Sequence, residues 1–144
     1  MNDIRELIIE GYKKSNRFGN DLGMELEIVA PGEIRYTLVI TAQHLATPKA
    51  AHGGVIASLM DGTLGVAGLS KVVDEGKVVS TIELKLNFLS PAILGDRLTA
   101  SGRVIQAGSR ILYIEGEIIN QHNELIAKGS GTFNAYPVEK AGLF

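Results

Sequence analysis

The sequence of 144 residues contains no cysteine, and only 6% of its residues are aromatic. Without cysteine the chain has no disulfide framework, no thiolate metal site and no thiol nucleophile. It also lacks an excess of charge of either sign, because 14 Lys+Arg stand against 16 Asp+Glu. Nucleic acid binding depends on clustered positive charge, so we expect no nucleic acid partner.

The chain also lacks a long apolar run free of charge. Asp3, Arg5 and Glu6 occupy the N-terminus, where a secretory signal would need an apolar region. The longest apolar stretch, residues 53–73, contains Asp61, and a membrane-spanning helix tolerates a mid-span carboxylate poorly. We therefore expect a buried helix in a cytoplasmic protein with no membrane partner.

The periodicity of apolar residues predicts the order of the elements. Residues 3–15 have helical spacing and begin with Asp3-x-x-Glu6, which has the form of a capping box. Alternation on both sides of a Pro-Gly turn predicts a hairpin over residues 24–41, before the long apolar helix. Four further strands are predicted at 79–88, 98–106, 111–120 and 124–133. The tail from about residue 137 shows no period and is expected to be loose.

This order of elements predicts the fold class. A helix that is apolar almost all round must be covered on most of its sides. One curved antiparallel sheet wrapped around it is the simplest cover, which is an α+β arrangement. The length fits a single domain over residues 1–144.

Most standard catalytic and binding motifs are absent. The sequence contains no Walker loop, no G-x-G-x-x-G after a strand, no H-E-x-x-H and no G-x-S-x-G. The three histidines, His44, His52 and His122, lack acidic partners at metal-ligand spacing, so we expect no metal and no cofactor. The remaining candidates are His52-Gly53-Gly54 at the start of the apolar helix and Asp61 within it.

These residues have a structural and a functional interpretation. The glycines can simply relieve crowding, His52 can be a hydrogen-bonded structural residue, and Asp61 can lie on an exposed strip. The functional alternative uses the free N–H groups at a helix N-terminus as an oxyanion hole, with the carboxylate activating water. A carboxylate among apolar residues is costly when buried and unpaired, which favours a functional role for Asp61.

The spacing within this helix indicates a second copy of the chain. Gly54 and Asp61 lie on one helix face but are separated by about 10.5 Å along the axis. One carbonyl group and one attacking water cannot bridge that distance. Either the ligand lies along the helix, or two antiparallel helices meet at a two-fold interface and each Asp61 approaches the glycines of the other chain. We infer a dimer with two equivalent sites.

The segment from His52-Gly53-Gly54 to Asp61 resembles hotdog-fold acyl-CoA thioesterases of the phenylacetate-pathway (PaaI-like) type in the hydroxybenzoyl-CoA thioesterase superfamily. The resemblance extends over most of residues 24–135. It implies a hydrolase that converts an acyl- or aryl-CoA thioester to free acid and CoA without a cofactor. It also implies that Asp61 acts as general base or nucleophile, that the N–H of Gly53 or Gly54 polarises the thioester carbonyl, and that His52 shapes the loop.

The resemblance extends to two further places. Thr81, with Ser80 beside it, matches a hydroxyl residue that members often place near the attacking water. Gly108, Ser109 and Arg110 lie where relatives contact the CoA nucleotide, and Arg110 can pair with a phosphate. The structural alternatives are a β-branched strand residue for Thr81 and a solvated side chain for Arg110.

One departure from the family pattern separates two functional hypotheses. The family has an Asn six residues before the histidine of the glycine motif, where this chain has Ala46; Thr47, His44 or Gln43 are the possible substitutes. The first hypothesis is a catalytic homodimer or homotetramer that uses Asp61. The alternative is a non-catalytic acyl-CoA-binding hotdog module. A hotdog dehydratase is less favoured, because its histidine and carboxylate motif is not found.

The acyl pocket is the last expectation from the sequence. We expect its walls to include five large residues of the predicted core, suited to both aryl and medium aliphatic groups. These are Tyr36, Leu59, Met60, Leu64 and Phe88.

Overall fold

A computed structural model describes residues 3–143, and its N-terminus forms two helices where the sequence predicted one. Helix α1 spans Ile4–Ser15, and the Asp3 side chain caps it by accepting the Arg5 N–H at 3.4 Å. Helix α2, Arg17–Leu22, follows at once, in a segment where the sequence predicted no helix. The Asn16 side chain accepts the Gly19 N–H at 3.1 Å and so caps the N-terminus of α2. The periodicity of the sequence did not indicate this cap.

The main elements of the rest of the described chain are one long helix and a six-stranded sheet. Helix α3 spans Gly53–Val72. The strands are β1 (Glu25–Ala30), β2 (Glu33–Val39), β3 (Lys77–Phe88), β4 (Arg97–Ala107), β5 (Ile111–Ile119) and β6 (Leu125–Pro137). They are ordered β1-β2-β4-β5-β6-β3, and every neighbouring pair is antiparallel. The predicted α+β fold, a central helix against one antiparallel sheet, is confirmed.

Helix α3 packs closely on the sheet over a row of glycines. Gly102, Gly116 and Gly129 are paired side by side across β4, β5 and β6. A Cβ at Gly116 would lie 2.8 Å from both Leu64 Cδ2 and the Ser101 carbonyl oxygen, so no larger residue fits under the helix. The segment Gly53–Glu75 is long and apolar enough to cross a membrane by length and composition, yet most of its apolar surface is buried against this sheet.

The C-terminal segment differs from the sequence prediction of a loose tail from about residue 137. Val138–Ala141 forms a 3-10 turn, and Val138 is 3% exposed. The Val138 N–H donates to the Gly76 carbonyl at 3.0 Å. Val138 also joins an apolar cluster with Ile8 of α1 and Leu69 of α3. The tail is ordered because it completes a small apolar core. The periodicity of the sequence does not reveal this core, because its residues are far apart along the chain.

A bulge in β3 determines which side chains of that strand face the helix. Thr81 pairs with Phe133 and Glu83 pairs with Thr132, so Ile82 is the extra residue and is 58% exposed. Thr81 therefore faces inward, on the same side as the buried Phe133. Uninterrupted alternation would have placed Thr81 on the outer face with Glu83.

Candidate active site

The N-terminus of α3 begins at a histidine that caps it. His52 has extended backbone angles, and its Nδ1 accepts the Gly54 N–H at 2.7 Å. This bond requires an unprotonated Nδ1, so the ring carries its proton on Nε2 in this arrangement. The side chain of His52 thus fixes the first turn of the helix, which is the loop-shaping position that the sequence resemblance implied for it.

The two glycines of this turn are exposed and differ in their hydrogen bonding. The Gly54 N–H is engaged by His52. Within residues 3–143, no acceptor is bonded to the Gly53 N–H, which points out of the helix end as an available donor. The ring of Phe88 would contact a Cβ at Gly53 at 3.5 Å, so an apolar wall stands beside this donor.

The Asp61 carboxylate is bonded to the third strand. Thr81 Oγ1 donates to Asp61 Oδ1 at 2.7 Å, and Asp61 is partly exposed. The second carboxylate oxygen has no protein donor within the described part of the chain. The arrangement holds the carboxylate in one orientation while one oxygen remains available to a water or a substrate.

The face of α3 that carries Asp61 is not fully covered by the sheet. Gly54 is exposed, and Ala57, Ser58, Asp61 and Gly62 are partly exposed along the same side. Ser58 Oγ donates back to the Gly54 carbonyl at 2.7 Å, so the Ser58 side chain lies against its own helix. This side of α3 is therefore a strip of small residues. An exposed strip was one of the two interpretations of Asp61 from the sequence, and a partly exposed strip of small residues is present around it.

A cavity of about 290 Å³ lies beside Asp61, between α3, β3 and both ends of the chain. Ser80 and Thr81 line it together with Asp61, so three of the predicted site residues share one cavity. Tyr12 of α1 also lines it, and no sequence signal distinguished Tyr12 from an ordinary apolar helix position. Burial raises the pKa of the Tyr12 hydroxyl, a hydrogen bond with Tyr36 lowers it, and the charge of Asp61 raises it.

The predicted nucleotide-binding turn lies at a separate cavity. Ser109 and Arg110 line a space of about 470 Å³, together with Lys77 and Lys140, two cations that the sequence analysis missed. Gly108 is exposed and is not among the lining residues. Tyr136 lines both this cavity and the one beside Asp61, so the two cavities are neighbours at this residue.

The structure shows how His44 and Thr47, two of the possible substitutes for the family's asparagine at position 46, are bonded. His44 is buried, its Nδ1 accepts the Thr41 N–H at 2.9 Å, and its Nε2 lies 2.8 Å from the Leu22 carbonyl oxygen. Both ring nitrogens are therefore engaged in the fold. Thr47 Oγ1 accepts the Ala50 N–H at 3.0 Å, so it too serves its own loop, which closes near Ala46.

The five residues that the sequence predicted as walls of the acyl pocket lie away from the cavity beside Asp61. Tyr36, Leu59, Met60 and Leu64 are at most 3% exposed in the main core, and Phe88 is 58% exposed on the edge strand. Hydrophobicity alone does not separate a core residue from a cavity wall.

Comparison with known proteins places this site in a family. The model of the family described as "Thioesterase superfamily" matches residues 49–127, more than half of the chain. The chain belongs to the thioesterase superfamily. The segment matched by that family contains Gly53, Asp61 and Thr81. The prediction of a PaaI-like, hotdog-fold thioester hydrolase is confirmed at this level.

Individual known proteins are similar to this chain over most of its length. Acyl-coenzyme A thioesterase PaaI of Escherichia coli is 30% identical over 106 residues, which are 74% of this chain and 73% of that protein. A solved structure of the E. coli PaaI protein from the phenylacetic acid degradation operon has a TM-score of 0.84 and covers 92% of this chain and 94% of that one. A protein of Archaeoglobus fulgidus is 30% identical over 101 residues, 70% of this chain and 63% of its own length.

Proposed function

We propose that this protein hydrolyses an acyl- or aryl-CoA thioester to the free acid and CoA, with Asp61 as general base or nucleophile. The observation that carries the proposal is the Asp61 carboxylate, held by Thr81 at the mouth of a cavity and free at its second oxygen. Membership of the thioesterase superfamily and similarity to an acyl-coenzyme A thioesterase support the reaction class.

The reaction needs only water and two groups of this protein, the Asp61 carboxylate and the Gly53 N–H. As general base, Asp61 takes a proton from water while the water oxygen bonds to the thioester carbonyl carbon. The carbonyl oxygen becomes an oxyanion that the Gly53 N–H stabilises at the positive end of α3. The carbon–sulfur bond then breaks, and the CoA sulfur takes up the proton. As nucleophile, Asp61 would instead form an acyl anhydride that water hydrolyses to the same products.

The geometry of α3 supports a shared site between two copies of the chain. Asp61 and Gly53 lie on a single helix at a distance of about 12 Å along its axis. The strip of small residues on α3 gives a second helix room to approach, and the neighbouring edge strand β3 is open with Ile82 and Phe88 exposed. We infer a homodimer, alone or within a homotetramer, in which Asp61 works with the Gly53 N–H of the second copy.

The cavity lined by Ser109 and Arg110 supports binding of the CoA nucleotide. Lys77 and Lys140 add two cations to the one of Arg110, although Glu75 lies 3.0 Å from Lys77 Nζ and offsets part of that charge. Phosphate groups are recognised by such clusters of guanidinium and ammonium groups. CoA is therefore the proposed partner at this cavity, beside the acyl group at Asp61.

A thiol-release assay across short, medium, long and aryl acyl-CoAs tests the proposal. Asp61→Asn is the matched variant, because an amide oxygen still accepts the Thr81 hydroxyl but cannot take a proton from water. We expect thiol release by the wild type and a loss of at least about a hundredfold in the variant, with an unchanged fold. Equal rates for the two proteins would contradict the role of Asp61.

The alternative is a non-catalytic acyl-CoA-binding module, and Ala46 in place of the family's asparagine favours it. One polar group that helps to hold the thioester is missing there, and His44 is engaged elsewhere. This alternative predicts that acyl-CoA raises the melting temperature of the wild type while no thioester in the panel releases thiol.

A further inference from the structure

The cavity beside Asp61 has a polar end and an apolar interior. Asp61, Ser80 and Thr81 supply the polar end. Leu69 and Val78, both nearly buried, supply part of the apolar wall. Asp61 and Leu69 both line the cavity and are eight residues apart on α3, about 12 Å along the helix axis.

The far wall of this cavity comes from outside the segment that the family model matches. That segment ends at residue 127, whereas Tyr12, Phe133, Ala141 and Leu143 all line the cavity. The carboxylate and the cavity's far wall therefore come from different parts of the chain. Variation at the two ends of the chain can change the shape of the cavity without changing the chemistry at Asp61.

The lining indicates which part of a thioester fits here. Among the described residues, no lysine or arginine lines this cavity, so phosphate groups have no counter-charge in it. The cations line the neighbouring cavity, which also has Tyr136 in its wall. An apolar cavity of about 150 Å³ holds one benzene molecule in another protein. At about 290 Å³ this one has room for a ring with a short substituent or for a medium alkyl chain.

We infer that this cavity holds the acyl group of the thioester and that its far wall, together with Gly65, limits acyl length. The substrate class is a compact apolar acyl group, aryl or medium-chain, and long chains are excluded. The inference rests on the proposed function, since it takes Asp61 as the position of the reacting carbonyl.

Gly65 offers a precise way to shorten the cavity. It lies one helical turn beyond Asp61, and a Cβ built on it would contact Phe133 Cε2 at 3.6 Å, an ordinary van der Waals distance. Gly65→Ala therefore adds one methyl group to the wall without a clash. Ala141→Leu narrows the same cavity from the C-terminal turn. Ala30→Leu is the matched control, because Ala30 is exposed at the end of β1 and lines no part of this cavity.

The experiment measures kcat/KM for acyl-CoAs of graded length in these variants. In Gly65→Ala and Ala141→Leu, we expect kcat/KM for the longest acyl-CoA that the wild type hydrolyses to fall about tenfold or more relative to kcat/KM for acetyl-CoA. Ala30→Leu should keep the wild-type ratio. If Gly65→Ala folds and retains the wild-type length profile, the acyl group does not occupy this cavity.

Binding measured without turnover separates this inference from the proposed function. Calorimetry on Asp61→Asn, with and without Gly65→Ala, should show that the added methyl group weakens the binding of longer acyl-CoAs and not of free CoA. If the wild type hydrolyses no thioester but this length effect is present, the reaction is wrong and the acyl cavity is right. If hydrolysis depends on Asp61 but no length effect is found, only the acyl cavity is wrong.

Discussion

Thr81 Oγ1 donates a hydrogen bond of 2.7 Å to Asp61 Oδ1, which joins the edge strand β3 to the central helix. The bond crosses between elements that are 20 residues apart in the sequence. It fixes one carboxylate oxygen, and the other has no donor among the described residues. Thr81 thus acts through Asp61 as a positioning residue in the proposed reaction.

Replacement of the Thr81 hydroxyl should lower the rate and not the affinity. Thr81→Val keeps the shape and the strand propensity of the side chain but removes the donor. We expect kcat to fall about 10- to 100-fold with little change in KM, because the carboxylate loses its orientation. Thr81→Ser restores the donor and should recover most of the rate. A valine variant with the kcat of the wild type would show that this bond is only structural.

Removal of the Gly53 N–H should also slow the reaction. Proline is tolerated at the first position of a helix, and the extended backbone of His52 suits a residue before proline. Gly53→Pro therefore deletes the donor while α3 remains intact. The loss of one oxyanion donor is expected to lower kcat by about 100- to 1000-fold. Wild-type turnover in this variant, with an unchanged circular dichroism spectrum, would assign the oxyanion donor elsewhere.

A mixture of the two inactive variants tests whether the site is shared between chains. When equal amounts of Gly53→Pro and Asp61→Asn exchange subunits at random, half of the dimers contain one chain of each variant. If each site uses Asp61 from one chain and Gly53 from the other, one of the two sites in a mixed dimer is intact. Activity should then return to about a quarter of the wild-type value. No recovery, after exchange is verified by mass spectrometry, would place both groups of one site in the same chain.

The buried Tyr36 and the partly buried Tyr12 should make the protein less stable at alkaline pH. Burial raises the pKa of both Tyr12 and Tyr36 above 10.0 in the folded chain. Their contribution to stability is complete below pH 10.0 and is lost as the pH rises toward the folded values. The slope approaches about 1.4 kcal/mol per pH unit for each tyrosine. Urea unfolding from pH 8 upward should show a shallower decline for Tyr36→Phe than for the control Tyr113→Phe, whose tyrosine is exposed.

The coupling between Tyr12 and Asp61 provides a second measurement. Because the charge of Asp61 raises the pKa of Tyr12, Asp61→Asn should lower that pKa in an absorbance titration. Equal alkaline slopes for Tyr36→Phe and the control would contradict the effect of burial on Tyr36, and an unchanged Tyr12 titration in Asp61→Asn would contradict the placement of Tyr12 beside Asp61.

The sequence predicted the elements that have a strong local signal. The alternation on both sides of Pro31 and Gly32 identified the first hairpin, and the apolar run from Gly53 identified α3. Helix α2 was missed, because an internal glycine disguises it and its cap is a side-chain contact from Asn16. The cytoplasmic location stays a prediction.

The sequence by itself determined the chemistry available to this protein. The absence of cysteine excludes a thiol nucleophile, and the spacing of Gly53, Gly54 and Asp61 on one helix follows directly from the chain. Only the tertiary structure decided how these groups are held. The bulge at Ile82 turns Thr81 inward, and both chain ends close the cavity beside Asp61. Both depend on contacts between elements distant in sequence, which no local period encodes.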